Sequence, residues 1–274
     1  MRRRLGCLLN HVITFYEEHT DEQWTRFDRS ARVEKYVLHR AMREYLPPPP
    51  ATVVDIGGGN GRHAFHLAEG GYEVHLCDVT PGLVADARRR ADVMAVAPAS
   101  LQVADARELP WSDGAADAAL LLGPLYSLLD AGDRLRALRE ASRVVRPGGI
   151  VLIQFFTRVG GLRWVLEAAP AVARRFDWQG FLGSGVFTDE HIPDGMRTHY
   201  FSTPAEAVEE TRTAGWSVVH LQGMDAPAPG TGQMHLAKAP QNIVDQWGEI
   251  AYELGGDREN LSAGTHLLLV ARRN

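Results

Sequence analysis

The sequence predicts an α/β protein built on a doubly wound, mostly parallel sheet. Three observations carry this expectation. Short β-branched or apolar runs alternate with helix-like segments along the first 157 residues. Several of these runs are apolar throughout, as strands are when helices cover both faces of a sheet. A concentration of glycines, "DIGGGNG", stands between the first such run and a helical segment, where backbone must come unusually close to something.

The elements follow in order. Residues 11–46 contain no Gly or Pro and read as helical, until "LPPPP" at 46–50 stops them. "ATVVDI" is a strand, and "GRHAFHLAEGG" a helix closed by glycine. "YEVHLCD" is a strand, followed by the helix "TPGLVADARRRADVMAV" with Thr80 as cap before Pro81. "LQVAD" and "ADAALLL" are strands. "DRLRALREASRVV" is an amphipathic helix with Leu135, Leu138, Ser142 and Val145 along one stripe. "GGIVLIQFF" is the next strand. From Thr157 to Thr203 no clean period holds, which suggests an insertion over the carboxyl edge of the sheet. "PAEAVEETRTAGW" resumes a capped helix, "WSVVHLQGM" and "GTHLLLVARR" are strands, and "APAPGTG" at 226–232 is a turn-rich connector.

Composition narrows the function classes. A chain of 274 residues, 45% hydrophobic and 23% charged, can bury a full core. A net charge of −5 supplies no general attraction to nucleic acid or anionic membrane. The start, "MRRRLGCLLNHVITF", imitates a secretory signal, but Asn10 and His11 interrupt it and no small-residue cleavage site follows. With Cys7 and Cys77 alone there is no disulfide framework, and Cys77 reads as a buried core thiol. The expectation is a cytoplasmic protein. Lys35 and Lys238 are its only lysines, a bias that a GC-rich genome explains without any arginine-specific function.

A strand, glycine turn and helix place free backbone N–H groups beside a ligand. Arg62 and His63 stand where a phosphate-binding loop needs Gly-Lys-Ser/Thr. The dinucleotide spacing fits only loosely, on Gly59, Gly61 and Ala64. A better description is Asp55-x-Gly57-x-Gly59-x-Gly61, an acid at the strand end that suits a cationic ligand. Asp78 ends the next strand, where an acid accepts ribose hydroxyls. Asp105 ends the third, beside the small Ala106, where it can meet the exocyclic amine of an adenine. Any one of these acids could be only a solvated strand end; three in register point to an adenosine-bearing ligand.

These residues, with "ADARELPW" and "ALREASRVVRPGGIVLI", resemble the class I S-adenosylmethionine-dependent methyltransferases over roughly residues 50–157. The resemblance implies a Rossmann-like seven-stranded sheet of order 3-2-1-4-5-7-6, closed by the two C-terminal strands. It implies S-adenosylmethionine as cofactor and S-adenosylhomocysteine as product. The cofactor positions carried over are Asp55, Gly57, Gly59, Gly61, Asp78, Val79, Asp105, Ala106 and Leu122, with Tyr16 closing from the leading helix. One domain is expected over 1–274: an N-terminal helical segment (1–49), a cofactor-binding core (50–157), a substrate lid (158–203), and a C-terminal helix with the closing strand pair (204–274).

Methyl transfer from a sulfonium needs orientation and desolvation more than acid–base chemistry. His63 and His66 share a helix face, but with no third ligand nearby no metal site is expected. "GPLY" at 123–126 keeps an aromatic, Tyr126, where nucleobase and amide methyltransferases carry an Asn/Asp-Pro-Pro-aromatic tetrad. It loses the amide or acid, which argues against a nucleobase or amide nitrogen as target. The catalytic candidates are His199, as base or orienter, and Tyr126. The substrate-binding candidates are Arg158, Trp164, His191 and Tyr200, with Glu190 close by. Trp24 either closes over the cofactor or packs in the core. The reading is methyl transfer to O or N of a small metabolite or natural product, without nucleic-acid or membrane partners and with a homodimer open to it. The alternatives are an NAD(P)-dependent oxidoreductase, against which Asp55, "RELPW" and "RPGG" count, and a non-catalytic cofactor-binding module.

Overall fold

The computed structural model describes residues 12–168, 170–174, 176–187, 198–226 and 235–274. Cys7, Glu190, His191 and most of the 226–232 connector lie outside them. The strands are Thr52–Ile56 (β1), Glu73–Asp78 (β2), Ser100–Val103 (β3), Ala116–Leu121 (β4), Val145–Phe156 (β5), Val186–Phe187 (β6), His199–Tyr200 (β7), Trp216–Gly223 (β8) and His266–Arg273 (β9). Seven form one sheet in the order β3-β2-β1-β4-β5-β9-β8, and β6 pairs with β7 alone. Counting only the strands of the large sheet, this is the expected 3-2-1-4-5-7-6. The pairs from β3 to β5 are parallel, and β9 runs antiparallel to both β5 and β8.

The helices are Thr20–Arg29 (α1), Arg32–Tyr45 (α2), Arg62–Glu69 (α3), Pro81–Ala91 (α4), Pro124–Ser127 (α5), Ala131–Val144 (α6), Arg158–Ala168 (α7), Trp178–Ser184 (α8), Pro204–Thr213 (α9) and Gln241–Gly255 (α10). Residues 12–18 are helical as well. Alternate strand residues divide into two cores. Val54, Ile56, Leu121, Val151 and Ile153 pack with α6 and α9 on one face. Val53, Leu76, Leu120, Leu152 and Leu268 pack with α2, α3 and α10 on the other. This is the burial on both faces that the apolar strands predict.

Four local expectations change. The leading helical region is broken at His19 and again at Ser30-Ala31, where both N–H groups return to the Arg26 carbonyl. Helix α4 stops at Ala91, short of 92–96, where Val93 and Val96 stand exposed rather than packed on the core. The inner face of α6 is Arg134, Ala137, Leu138, Ala141 and Val144, rotated from the expected stripe. Arg134 turns it: the side chain is drawn inward to Glu210 (2.6 Å) and to the carbonyls of Leu128 and Leu129. Helix α10, which the sequence reading left out, packs against α2 and β8. Thr203 and Glu206 form the full capping box at the start of α9.

Candidate functional site

A cleft of about 1150 Å³, open mouth included, lies at the carboxyl ends of β1 to β5 under residues 12–29. This is where ligands bind in open α/β sheets, at the reversal of strand order. Its wall includes Asp55, Gly57, Gly59, Asp78, Val79, Asp105, Ala106, Leu122, Tyr16 and Tyr126. Gly61 is not on the wall. It caps α3 with a φ of 88° and turns the loop into the helix.

The loop leaves β1 through Gly57, whose φ is +70°. A Cβ there would stand 2.7 Å from Pro124 Cδ, so only glycine lets the loop pass beneath the β4 end. The N–H groups of Gly57 and Gly58 both bond the Cys77 carbonyl (2.8 and 3.1 Å), fastening the loop to β2. Asn60 then ties it to Thr20 O (3.1 Å) and to Asp86 (3.2 Å), joining loop and overlying helix.

Asp55 is 1% exposed, and among the described residues its buried Oδ2 has no hydrogen-bond partner. Burial, and after it the charge of Asp78, push this carboxyl up to about 7. An orphaned buried acceptor on a ligand cleft is a seat for a cation. Asp78 accepts from Gly59 N (2.9 Å) and Thr80 N (2.8 Å). Burial nevertheless outweighs those bonds and raises its pKa. Thr80 therefore caps α4 only by position; its own side chain makes no cap bond. Asp105 is clamped by Arg107 (2.6 Å), which reaches on to Asp133 (2.7 Å). Burial works against its charge, but the Arg107 bonds prevail and its pKa is lowered. The acids thus differ. Asp105 is held as a carboxylate, while burial and the charge of Asp78 keep Asp55 closer to its protonated form.

The cleft continues towards β4 and β5 into aromatic surroundings. Tyr126 stacks on Phe156 (centroids 4.0 Å) and meets His199 edge-on (5.4 Å). The structure brings these two catalytic candidates together, with Tyr126 on the wall and His199 buried behind it. Trp24 stands between the guanidiniums of Arg90 (3.9 Å) and Arg62 (5.0 Å), not on the wall.

Three candidates are placed away from the cleft. Arg158 is spent on Glu206 (2.6 Å) and the Leu182 carbonyl (2.9 Å). Tyr200 lies under the Arg134 guanidinium (3.4 Å). Trp164 is 38% exposed and faces Phe187 (6.3 Å), beside a separate small core of Val165, Val172, Phe176, Phe181, Phe187 and Phe201. The aromatics of the insertion pack mainly on one another. Phe201 (5.3 Å) and His199 (5.2 Å) link them to Phe156.

Sequence reasoning missed Gln23, Arg26, Phe27 and Gln154 on the cleft wall. Gln154 had a signal, a single amide inside the apolar strand "IVLIQFF". The others had none, because only the helix break at Ser30 directs α1 across the cleft. His63, also on the wall, meets Phe27 (4.8 Å), while His39 stacks on His66 (3.9 Å). Burial, then His66, hold His63 neutral with its pKa lowered to about 3. Among the described residues no group of three His, Cys, Asp or Glu side chains could hold a metal ion, and no helix is long and apolar enough to cross a membrane.

Comparison with known proteins gives consistent matches. Residues 53–149 match the family described as "Methyltransferase domain". The demethylmenaquinone methyltransferase of Mycolicibacterium gilvum is 34% identical over 210 residues, 73% of this chain and 82% of that protein. The ubiquinone/menaquinone biosynthesis C-methyltransferase of Acidiphilium cryptum is 31% identical over 55% of this chain and 65% of its own length. The chain spans 42–65% of the length of that relative and three other curated ones. Among solved structures, the Burkholderia thailandensis 1,6-didemethyltoxoflavin-N1-methyltransferase, with S-adenosylhomocysteine bound, superposes with a TM-score of 0.61. It is 17% identical, covering 100% of this chain and 91% of that one.

Proposed function

Because the chain belongs to the class I S-adenosylmethionine-dependent methyltransferases, we propose that its cleft carries out methyl transfer to O or N of a small aromatic metabolite. One observation carries the reading of the site: the partnerless, buried Asp55 Oδ2 at the root of a glycine loop, with Asp78 at the end of β2 and Asp105 two residues past the end of β3. That set fits an aminoacyl-bearing adenosine. Asp55 would take the ammonium, Asp78 the ribose hydroxyls, and Asp105 with Ala106 the adenine edge. Val79 and Leu122 would flank the nucleoside, and Tyr16 would close from above. The bound cofactor supplies a methyl group already activated on a sulfonium.

The protein's part is orientation and exclusion of water. Tyr126 offers a ring face and a hydroxyl to the acceptor, and His199, edge-on behind it, holds that ring in place. A base is needed only for an acceptor that enters protonated. A second reading, attack by a ring carbon of a quinol, is favoured by the names of the curated relatives. Arg158, Trp164, Tyr200 and His191 would serve the substrate by shaping a lid over 158–203. Helix α10, with Ile243, Trp247, Ile250 and Leu254 exposed, would support a homodimer. The reading keeps the protein in a reducing cytoplasm, without nucleic-acid or membrane partners.

Calorimetric titration with S-adenosylmethionine, S-adenosylhomocysteine and NADPH tests the reading, with Asp78→Ala alongside. Micromolar binding of both sulfur nucleosides, weakened at least tenfold in the variant, is the expected result. Binding of NADPH alone would refute it. Transfer of labelled methyl to a panel of phenols, quinols and amines then separates O, C and N.

A further inference from the structure

A buried polar cluster stands across the cleft from the nucleoside acids. Its centre is Glu34 on α2, whose side chain is 4% exposed. Arg26 Nη2 donates to both carboxylate oxygens (2.8 and 3.1 Å), and Gln154 Nε2 donates to Oε1 (3.0 Å). His266 Nδ1 lies 3.1 Å from Oε2. Burial alone would push this carboxyl up, but the charge of Arg26, then that of His266, holds it well below the usual carboxylate range. Glu34 is therefore an anion, and a buried anion persists only when it is fully paired. Helix α1 and strands β5 and β9 each contribute one partner.

The cluster fixes what faces the cleft. Arg26 is on the wall, and its Nη2 is committed to Glu34. Among the described residues its Nε and Nη1 have no hydrogen-bond partner, which leaves donors for something that enters. A guanidinium held rigid on one edge is a preorganised fork for an oxyanion. Gln154, also on the wall, spends its NH₂ on Glu34 and on the Met224 sulfur (3.5 Å). Its carbonyl oxygen remains as an acceptor.

Sheet order separates this fork from the nucleoside. Asp78 and Asp105 follow β2 and β3 on one side of β1, whereas Gln154 is on β5, on the other side beyond β4. We propose that Arg26, locked by Glu34, binds the acidic oxygen of the methyl acceptor, so that the acceptor class is a phenol, enol or similar weak acid taken up as its anion. This rests on the methyltransferase reading above. The acceptor's proton passes to water as the anion enters. The anion's electron pair, on that oxygen or on the ring carbon conjugated to it, forms the bond to the methyl carbon, and in the second case that ring carbon's proton then leaves to water as the ring regains its aromaticity. The sulfur keeps the pair of the bond that breaks, and the guanidinium keeps its proton throughout. A cationic amine would be repelled.

The test uses 4-nitrophenol, whose phenolate absorbs visible light, titrated into the protein saturated with S-adenosylhomocysteine across a range of pH. The expected result is a bound probe whose pKa falls by about one unit, a roughly tenfold preference for the phenolate. Arg26→Gln should bind S-adenosylhomocysteine within about threefold of wild type, yet lose that preference. Nitrobenzene, which has no acidic oxygen, should bind both proteins alike. A second arm needs no variant: phenolate affinity of the wild type should not fall when S-adenosylhomocysteine is added. Competition between the two, or a tenfold loss of S-adenosylhomocysteine affinity in Arg26→Gln, would put the guanidinium on the cofactor's own carboxylate and overturn the proposal. Failure of the wild type to bind the probe, or an unshifted bound pKa, would overturn it too. If wild type fails to bind S-adenosylhomocysteine at all, the methyltransferase reading falls, and this inference with it.

Discussion

Replacing Asp55 by Asn should stabilise the empty protein above neutral pH while weakening its grip on the cofactor. In the empty fold the carboxyl titrates at about 7, against an ordinary value of 3.8. Between these values the folded chain holds a proton that the unfolded chain has lost, so the Asp55 contribution to stability is greatest below about pH 4 and is lost as pH rises through 7. At 1.36 kcal/mol per pKa unit, ionising Asp55 costs the empty fold about 4 kcal/mol once the pH exceeds 7. The amide of Asn escapes that cost. At roughly 2 °C per kcal/mol for a chain of this size, empty Asp55→Asn should melt roughly 8 °C above wild type at pH 8 and about level with it at pH 4. The assay is scanning calorimetry at both pH values, with and without S-adenosylhomocysteine. Asp225, also raised by burial, contributes to both proteins alike, whereas Asp78 is coupled to Asp55, so the difference reports Asp55 together with that coupling. The ligand should stabilise wild type at pH 8 and the variant much less, because loss of one charge-assisted bond costs about tenfold or more in affinity. Equal pH slopes in the two proteins would refute the reasoning.

Two further predictions rest on particular contacts. Gly57→Ala forces a side chain into a left-handed conformation and against Pro124 Cδ at 2.7 Å. It should cost about 1–2 kcal/mol in urea unfolding and reduce S-adenosylhomocysteine affinity at least tenfold; unchanged calorimetric binding would show that the loop does not approach the ligand. Arg134→Met removes a guanidinium that is 4% exposed and bonded to Glu210 and two carbonyls. It leaves Glu210 without its partner and should cost about 3 kcal/mol by urea unfolding. A loss below about 1 kcal/mol would mean that the pair is screened by water.

Legibility followed the range of the interactions. Asp55, the glycines, Asp78 and Asp105 could be read because each belongs to a strand end whose geometry is local: a β-branched run, a turn, a cap. All three loop glycines with a φ requirement, Gly57, Gly59 and Gly61, adopt positive φ (70°, 59° and 88°) at the alternate spacing that marked them. The strand order and the two-faced core follow from the same short-range pattern, because alternation within a strand assigns each residue to one face. Arg158, Trp164 and Tyr200 were chosen by residue type within a segment of no clear period. Their partners Glu206, Phe187 and Arg134 lie 23 to 66 positions away in the chain, beyond any local pattern.

The sequence by itself determined the sheet, its helical cover and the acids and glycines of the cofactor loop, since hydrophobic period and backbone conformation are properties of neighbouring residues. Only the tertiary structure decided which side chains close the other half of the cleft. Arg26, Glu34, Gln154 and His266 come from two helices and two strands, and a buried carboxylate must gather its donors from wherever the fold brings them. That balance of burial against charge exists only once water has been excluded, and no single segment of the chain carries it.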